Sequence, residues 1–241
     1  MKVKILSWNI WCGTYLDEVT EFLKNANADI IALQEVVEDE RGNLVEIIAK
    51  ELGYKYVHAI GMNMPVRFLP KYEKDDKRTI KFGTAILSKY KIVDSKIHEL
   101  VDENKRLVVE ADIKIGNEIL HIFSIHLKHT HQKPSEIQDV ETENLLKLLP
   151  EKNTIVMGDF NALPESSVIQ KVNQVLQNIE TNSITPTWSV YKEGCTCLTK
   201  DGEIKYKLDY IFTSKDMTVD LFKVHESKGS DHLPISAIIE I

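Results

Sequence analysis

Six short stretches of this chain place polar side chains where a strand pattern ends or is interrupted. They are Asn9 in SWNI, Glu35 in ALQE, His126 in FSIHL, Asp159 and Asn161 in MGDFN, Asp209 in KLDYIF, and Asp231-His232 in KGSDHLPI. Carboxylates and amide oxygens are hard ligands, suited to Mg²⁺ or Mn²⁺. Magnesium typically takes one or two protein carboxylates and keeps waters for substrate oxygens. Glu35 with Asp231 or Asn9 would suffice. A histidine near such an ion supplies an acid, a base or a hydrogen-bond donor, and a carboxylate behind it fixes its tautomer. Metal, histidines and carboxylates together point to metal-assisted hydrolysis of a phosphate ester.

Each residue taken singly has an ordinary explanation. Asn9 suits a turn, Glu35 an exposed strand end, and His126 a hydrogen-bonded core position. The Gly-Asp-Phe-Asn run suits a plain turn, and Asp231 a bond to its own backbone. Asp209 resists this treatment. It lies among Leu208, Tyr210, Ile211 and Phe212, and a buried carboxylate needs a partner.

The elements that must position these groups can be read from periodicity. Val3–Asn9 alternates as a strand, and Leu16, Val19, Leu23 and Ala26 fall at helical spacing, with Thr14 and Asp17 as a capping box. DIIALQE reads as a short buried strand. A second helix runs through Leu44, Ile47, Ile48 and Leu52, begun by Asn43 and ended by Gly53. Four strands follow in KFGTAILS, KIVDSKIHEL, RLVVEADIKIG and EILHIFSIHL, the last two joined by a hairpin at Gly116-Asn117. A helix is expected near Ser135–Leu149, a strand at NTIVMGD and another helix over Glu165–Ile179. Strands at LDYIF, MTVDLFKV and PISAIIEI close the chain. The stretch Gly61–Lys81 reads as an irregular loop, either simply solvated or a basic flap over an anionic substrate. No linker, repeat or low-complexity tract divides the sequence. The pattern therefore implies mixed sheets covered by helices, with residues 1–241 as one domain.

Composition narrows the classes. Apolar residues make up 43% of the 241 and charged residues 28%, which excludes a disordered chain. The net charge of −7 argues against broad, non-specific grip on duplex DNA but leaves room for a local basic cleft. Three cysteines, Cys12, Cys195 and Cys197, give no disulfide framework, and Cys195-Thr-Cys197 lacks a second pair at zinc spacing. The start, MKVKILSWNIWCG, reads as a strand and not as a signal peptide, and no apolar run nears the ~20 residues that span a bilayer. A cytoplasmic monomer with no obligate protein partner is expected.

In order and spacing, SWNI, LQE, GDFN, LDY and SDH resemble the endonuclease/exonuclease/phosphatase superfamily over essentially the whole chain. The resemblance implies an α/β (α+β) fold, a four-layer sandwich of two mixed β-sheets packed face to face with helices on the outer faces. It implies Glu35 as principal ligand of Mg²⁺ or Mn²⁺, with Asn9 and Asp231 completing the ion's shell. It makes Asp159 the group that orients or deprotonates water, jointly with His232, and Asn161 a donor to the phosphate or to Asp159. His232 would lie against the phosphate with Asp209 orienting it, and His126 would bind the phosphate or help protonate the leaving oxygen. The expected partner is an anionic phosphate-ester substrate: a small molecule, a lipid head group or nucleic acid.

The chain also departs from relatives. Many carry an arginine just before the glutamine of the helix after the histidine strand, where this chain has Glu136-Ile137-Gln138. Some back the strand-end histidine with a glutamate, for which Glu73 is the candidate. Abasic-site endonucleases place a tryptophan just before the LDY segment. Here Lys207 precedes Leu208-Asp209, and Trp188 is far upstream, which with the net charge lowers a DNA endonuclease/exonuclease of the abasic-site repair type to the alternative reading without removing it. FGTAILS and GDFNALPES look most like compact bacterial and archaeal members akin to sphingomyelinases. His126, His129 and His131 in HLKHTHQK suit a phosphate cleft better than zinc. A non-catalytic binding module on the same fold is the competing class, and the presence of every core position speaks against it.

Overall fold

The computed structural model describes residues 1–101, 106–180, 184–191 and 204–241. Cys195 and Cys197 lie outside these residues. In chain order the elements are β1 (Lys2–Asn9), α1 (Leu16–Ala26), β2 (Ile30–Asp39), β3 (Gly42–Asn43), α2 (Leu44–Leu52), β4 (Lys55–Pro65), β5 (Thr79–Ser88), β6 (Lys91–Glu99), β7 (Leu107–Ile115) and β8 (Glu118–His126). There follow α3 (Glu136–Leu148), β9 (Thr154–Asp159), α4 (Ser167–Val175), β10 (Gln177–Asn178), β11 (Asp209–Thr213), β12 (Thr218–Val224) and β13 (Ile235–Glu240).

Strand alternation builds the layers, because successive side chains point to opposite faces. Ile5, Ile30, Ala32 and Ile86 of one sheet meet Val109, Ala111, Ile122, Ile155, Met157 and Ile211 of the other in a central core. Leu6, Trp8, Ile31 and Leu33 face the other way and pack under Val19 and Leu23 of α1 and Val45 and Ile48 of α2. Phe123, Ile125, Val156 and Phe212 likewise pack under Leu145 of α3 and Val168, Ile169 and Val172 of α4. The result is the expected four-layer sandwich. The first sheet has the order β12-β13-β1-β2-β5-β4, with β3 on β2, and the second β10-β11-β9-β8-β7-β6.

Each sheet contains one parallel pair, β1 with β2 and β8 with β9, and these crossovers run through α1 and α3. Among the described residues all other pairings are antiparallel. The C-terminal ends of β1, β2, β8 and β9 therefore gather at one rim, which collects Asn9, Glu35, His126 and Asp159.

Local expectations are met unevenly. Asn43 caps α2 by accepting from the backbone N–H of Val45 and Glu46, and Gly53 closes it at φ 71. Gly116, at φ 60, makes the two-residue β7–β8 connection. The Thr14–Asp17 capping box does not form: α1 begins after Tyr15, and the Thr14 hydroxyl donates to Trp11 O at 2.6 Å. The helix expected over Glu165–Ile179 stops at Val175, because the chain turns to pair Gln177 and Asn178 with β11. Gly61–Lys81 is mostly not a loop. β4 runs to Pro65, a short 3-10 turn covers Val66–Phe68 and β5 starts at Thr79. Two of its basic groups are paired locally: Lys71 reaches Asp39 at 3.4 Å, Arg78 pairs with Asp76 at 2.6 Å, and Lys71 and Arg78 lie over the Tyr72 ring.

Candidate active site

Three site residues form one row across the second sheet. His126 of β8 pairs in register with Asp159 of β9, and Asp159 with Asp209, the first residue of β11. Adjacent strands lie about 4.8 Å apart, so these side chains must meet. Across the gap, Asn9 ends β1 and Glu35 lies in β2. Alternation alone would turn Glu35 outward beside Leu33, but the β2–β5 register shifts between Gln34 and Val36, and Glu35 sits in that bulge at φ 56. Bulges re-aim side chains in this way. Asn161, at φ 49, leaves β9 in a left-handed turn, a conformation Asn tolerates better than most residues.

The Asn9 amide joins the two halves. Its Nδ2 donates to Glu35 Oε1 at 3.2 Å and to Asp159 Oδ2 at 3.1 Å, while its Oδ1 accepts from the Trp11 N–H. Two imidazoles converge on the same Asp159 oxygen, His126 Nε2 at 3.5 Å and His232 Nε2 at 3.7 Å. Asn161 supports this carboxylate through its backbone N–H (2.8 Å) and its amide (3.2 Å). His232 Nδ1 donates to Asp209 Oδ2 at 2.9 Å. The adjacent pair Asp231-His232 reaches one pocket because it precedes β13 and is not regular strand. Ser230 anchors this turn to Asn9 O at 2.6 Å, and the Trp8 indole donates to His232 O. The structure thus brings together all eight residues singled out from the sequence.

Burial sets the electrostatics. It pushes Glu35 up to about 7, helped by the charge on Asp231, and Asp159 also up to about 7. Asp231 is raised by burial too. For His232 burial opposes the charge, but Asp209, Asp159 and Asp231 outweigh it and raise the imidazole well above its usual value. His126 goes the other way, held neutral by burial and by the nearby Arg106 guanidinium. Four carboxylates, Glu35 only partly buried, thus crowd around one favoured imidazolium, and burial favours protons on Glu35 and Asp159 that a divalent cation would replace. The closest donor group is Asp159, Asp209 and His232, within 4.8 Å of one another. Asp209 Oδ2 is already taken by His232 and Thr187, and both aspartates are only 1% exposed. Glu35 is more open, its side chain 16% exposed, and its Oε2 meets only the Cys12 thiol, at 3.7 Å. Of these carboxylates Glu35 thus offers the oxygen most open to a cation, while Asp231 is 5% exposed.

Several contributing residues had no visible signal. Thr187 donates to Asp209 Oδ2 at 2.6 Å and Trp188 Nε1 to Asp231 Oδ2 at 2.9 Å. Both precede Asp209 by more than twenty positions in an unpatterned segment. Arg106 reaches His126 O at 3.4 Å and lies 3.9 Å from Glu141 of α3. Gln138 of α3 donates to Lys128 O at 2.7 Å and Asn161 O at 3.0 Å, tying the helix to the rim without the arginine that relatives place before it. Among the described residues no glutamate backs His126: its Nδ1 is buried without a partner there, and Glu73 is exposed in the β4–β5 connection. His129 bonds Asn161 Oδ1 through Nδ1 and His131 through Nε2, which leaves no converging zinc set with His126. Lys207, which precedes the LDY segment, is buried in an ion pair with Glu180.

Two mixed sheets packed face to face between outer helices define a class of sandwich known from solved structures. One is an endonuclease/exonuclease/phosphatase from Beutenbergia cavernae (TM-score 0.80, 15% identity, covering 100% of this chain and 72% of that one). Another comes from Bacteroides vulgatus (TM-score 0.75, 18% identity, 100% and 99%). A third is ANGEL2, described as a 2',3'-cyclic phosphatase and solved with adenosine-2',3'-vanadate (TM-score 0.74, 14% identity, 99% and 95%). The chain belongs to the Endonuclease/Exonuclease/phosphatase family, whose model matches residues 6–232. No curated protein matches it by sequence. Among the described residues no helix is long and apolar enough to cross a membrane.

Proposed function

We propose that this protein is a divalent-metal-dependent phosphoesterase that hydrolyses a phosphodiester or phosphomonoester by attack of water. The observation that carries this is the single Asn9 amide bridging Glu35 and Asp159, with two imidazoles converging on the same Asp159 oxygen. Glu35, Asp231 and Asn9 would hold Mg²⁺ or Mn²⁺. When bound, the ion polarises a phosphoryl oxygen and offsets the charge of the ester.

Asp159 accepts the proton of the attacking water, since burial makes it more basic than an ordinary carboxylate. The new bond is water oxygen to phosphorus, and the bond that breaks is phosphorus to the leaving oxygen, which departs with the electron pair as an oxyanion and takes its proton from solvent water. His232, held cationic by Asp209, donates Nε2–H to a phosphate oxygen and stabilises the growing negative charge. His126, kept neutral, is a hydrogen-bond donor and a poor source of a proton for the leaving group. Asn161 holds Asp159 in place.

The test is turnover of bis-p-nitrophenyl phosphate with Mn²⁺ or Mg²⁺, followed by a panel that includes a 2',3'-cyclic phosphate, abasic DNA and sphingomyelin-type diesters. Activity should vanish with EDTA and in Glu35→Ala, and Glu35→Ala should also lose Mn²⁺ binding by calorimetry. A folded wild-type protein that turns over none of these with either ion would instead be a binding module.

A further inference from the structure

We infer that Trp188 is a positioning residue for the cation-binding carboxylate Asp231, which it holds through its indole N–H. The inference rests on the assignment of Asp231 to the ion made above and adds a residue to it.

An indole can only donate, and a buried one needs an acceptor. Trp188 is 2% exposed, and its acceptor is Asp231 Oδ2 at 2.9 Å. The ring has little freedom to choose another. Its backbone N–H donates to Tyr206 O, and its carbonyl accepts from the N–H groups of Lys205 and Tyr206, each at 3.0 Å. The next turn of chain is bonded to the site itself: Val190 N–H donates to Asp231 O and Leu233 N–H to Thr187 O, each at 2.8 Å. The segment carrying Trp188 is thus laced to the Asp231-His232 turn on one side and to Tyr206 on the other.

With Oδ2 tied to the indole, the carboxylate cannot rotate freely, and Oδ1 is left for a ligand. The Ser230 hydroxyl lies 3.3 Å from Oδ1, but its hydrogen is better directed to Asn9 O at 2.6 Å. The neutrality of the donor also matters. A lysine or arginine at this place would orient Asp231 equally well but would repel the cation. Groups that hydrogen-bond a ligating carboxylate typically change metal affinity by about 10–100-fold.

The test uses Trp188→Phe, which keeps an aromatic ring and removes the N–H. Mn²⁺ affinity measured by calorimetry should weaken by about 10–100-fold, and the apparent Mn²⁺ requirement for turnover should rise in parallel. Activity at saturating Mn²⁺ should fall far less. A side chain that only fills space would lower the melting temperature in EDTA and leave Mn²⁺ affinity where it was, and that result would overturn the inference. Should Trp188→Phe fail to fold, the wild-type protein gives the same answer. In ¹⁵N-indole spectra, the Trp188 Nε1–H resonance should be protected from exchange and should move on adding Mg²⁺, and a resonance that ignores Mg²⁺ refutes the role. The two readings fail separately. If Glu35→Ala binds Mn²⁺ as the wild type does, the metal site itself is wrong. If Glu35→Ala loses the ion while Trp188→Phe keeps it, only the positioning role is lost.

Discussion

Two donors meet at one oxygen of Asp209, the His232 ring at 2.9 Å and the Thr187 hydroxyl at 2.6 Å. This carboxylate touches neither substrate nor ion in the proposed mechanism and acts through His232, whose charge it supports. Asp209→Asn keeps the shape and removes the charge. It should lower kcat by about 10²–10⁴-fold, the usual contribution of a proton-bearing catalytic group, with Mn²⁺ affinity close to that of the wild type. A parallel fall in Mn²⁺ affinity would mean that Asp209 belongs to the ion's shell, and the division of roles would have to be redrawn. At this scale the sequence was informative where residue type conflicts with its surroundings, as for Asp209 among Leu208, Tyr210, Ile211 and Phe212. It was silent on Thr187 and Trp188, because a hydroxyl and an indole are ordinary in any segment. Their meaning comes only from the carboxylates that folding brings to them.

The strands deliver these groups, and one glycine shows how tightly. Gly158 in β9 lies opposite Ile125 of β8, one residue before Asp159, and a Cβ there would stand 2.0 Å from the Ile125 carbonyl oxygen. No side chain can relieve a clash with backbone, so the β8–β9 pair would have to part. Gly158→Ala is expected to destabilise the fold by about 1–3 kcal/mol, as overpacking does, and to cost activity even in the fraction that stays folded, because Asp159 and His126 share that pairing. Urea denaturation and turnover at a temperature well below the melting point separate the two effects. A variant with wild-type activity would show that the row His126–Asp159–Asp209 tolerates displacement. Most strands were legible from alternation and turn residues, as was α2 from Asn43 and Gly53. The bulge at Glu35 was not, since it arises from how β2 meets β5, and local periodicity carries no record of a partner's register. For the same reason α4 was read too long: Val175 continues a helical pattern, but it is exposed and the chain leaves to pair with β11.

At the scale of the whole molecule, two sheets must stay in register across a central core for residues so far apart in sequence to form one pocket. Pattern alone gave mixed sheets with helices outside. That there are two came from the resemblance, because strand order is set by pairings such as β1 with β13, from opposite ends of the chain. The sheets are bonded internally, and the chain passes from the second to the first between β11 and β12. Lys207 and Glu180 are joined as an ion pair, their side chains 2% and 5% exposed. The Lys207 ammonium also lies 5.0 Å from the ring centres of Tyr210 in the second sheet and Phe222 in the first. Burial lowers the pKa of Lys207 while Glu180 opposes that shift, so the Lys207 charge depends on Glu180. Lys207→Met would leave the Glu180 carboxylate buried alone, and the expected loss is about 3–5 kcal/mol. Adding Glu180→Leu should restore much of it, since a buried ion pair exchanged for apolar groups of similar volume is often neutral. Denaturation of the two single variants and the double variant measures the coupling. Single losses below about 1 kcal/mol, the range of an exposed pair, would show that water reaches these charges and that the edge between the sheets is held by Phe222 and its apolar neighbours alone.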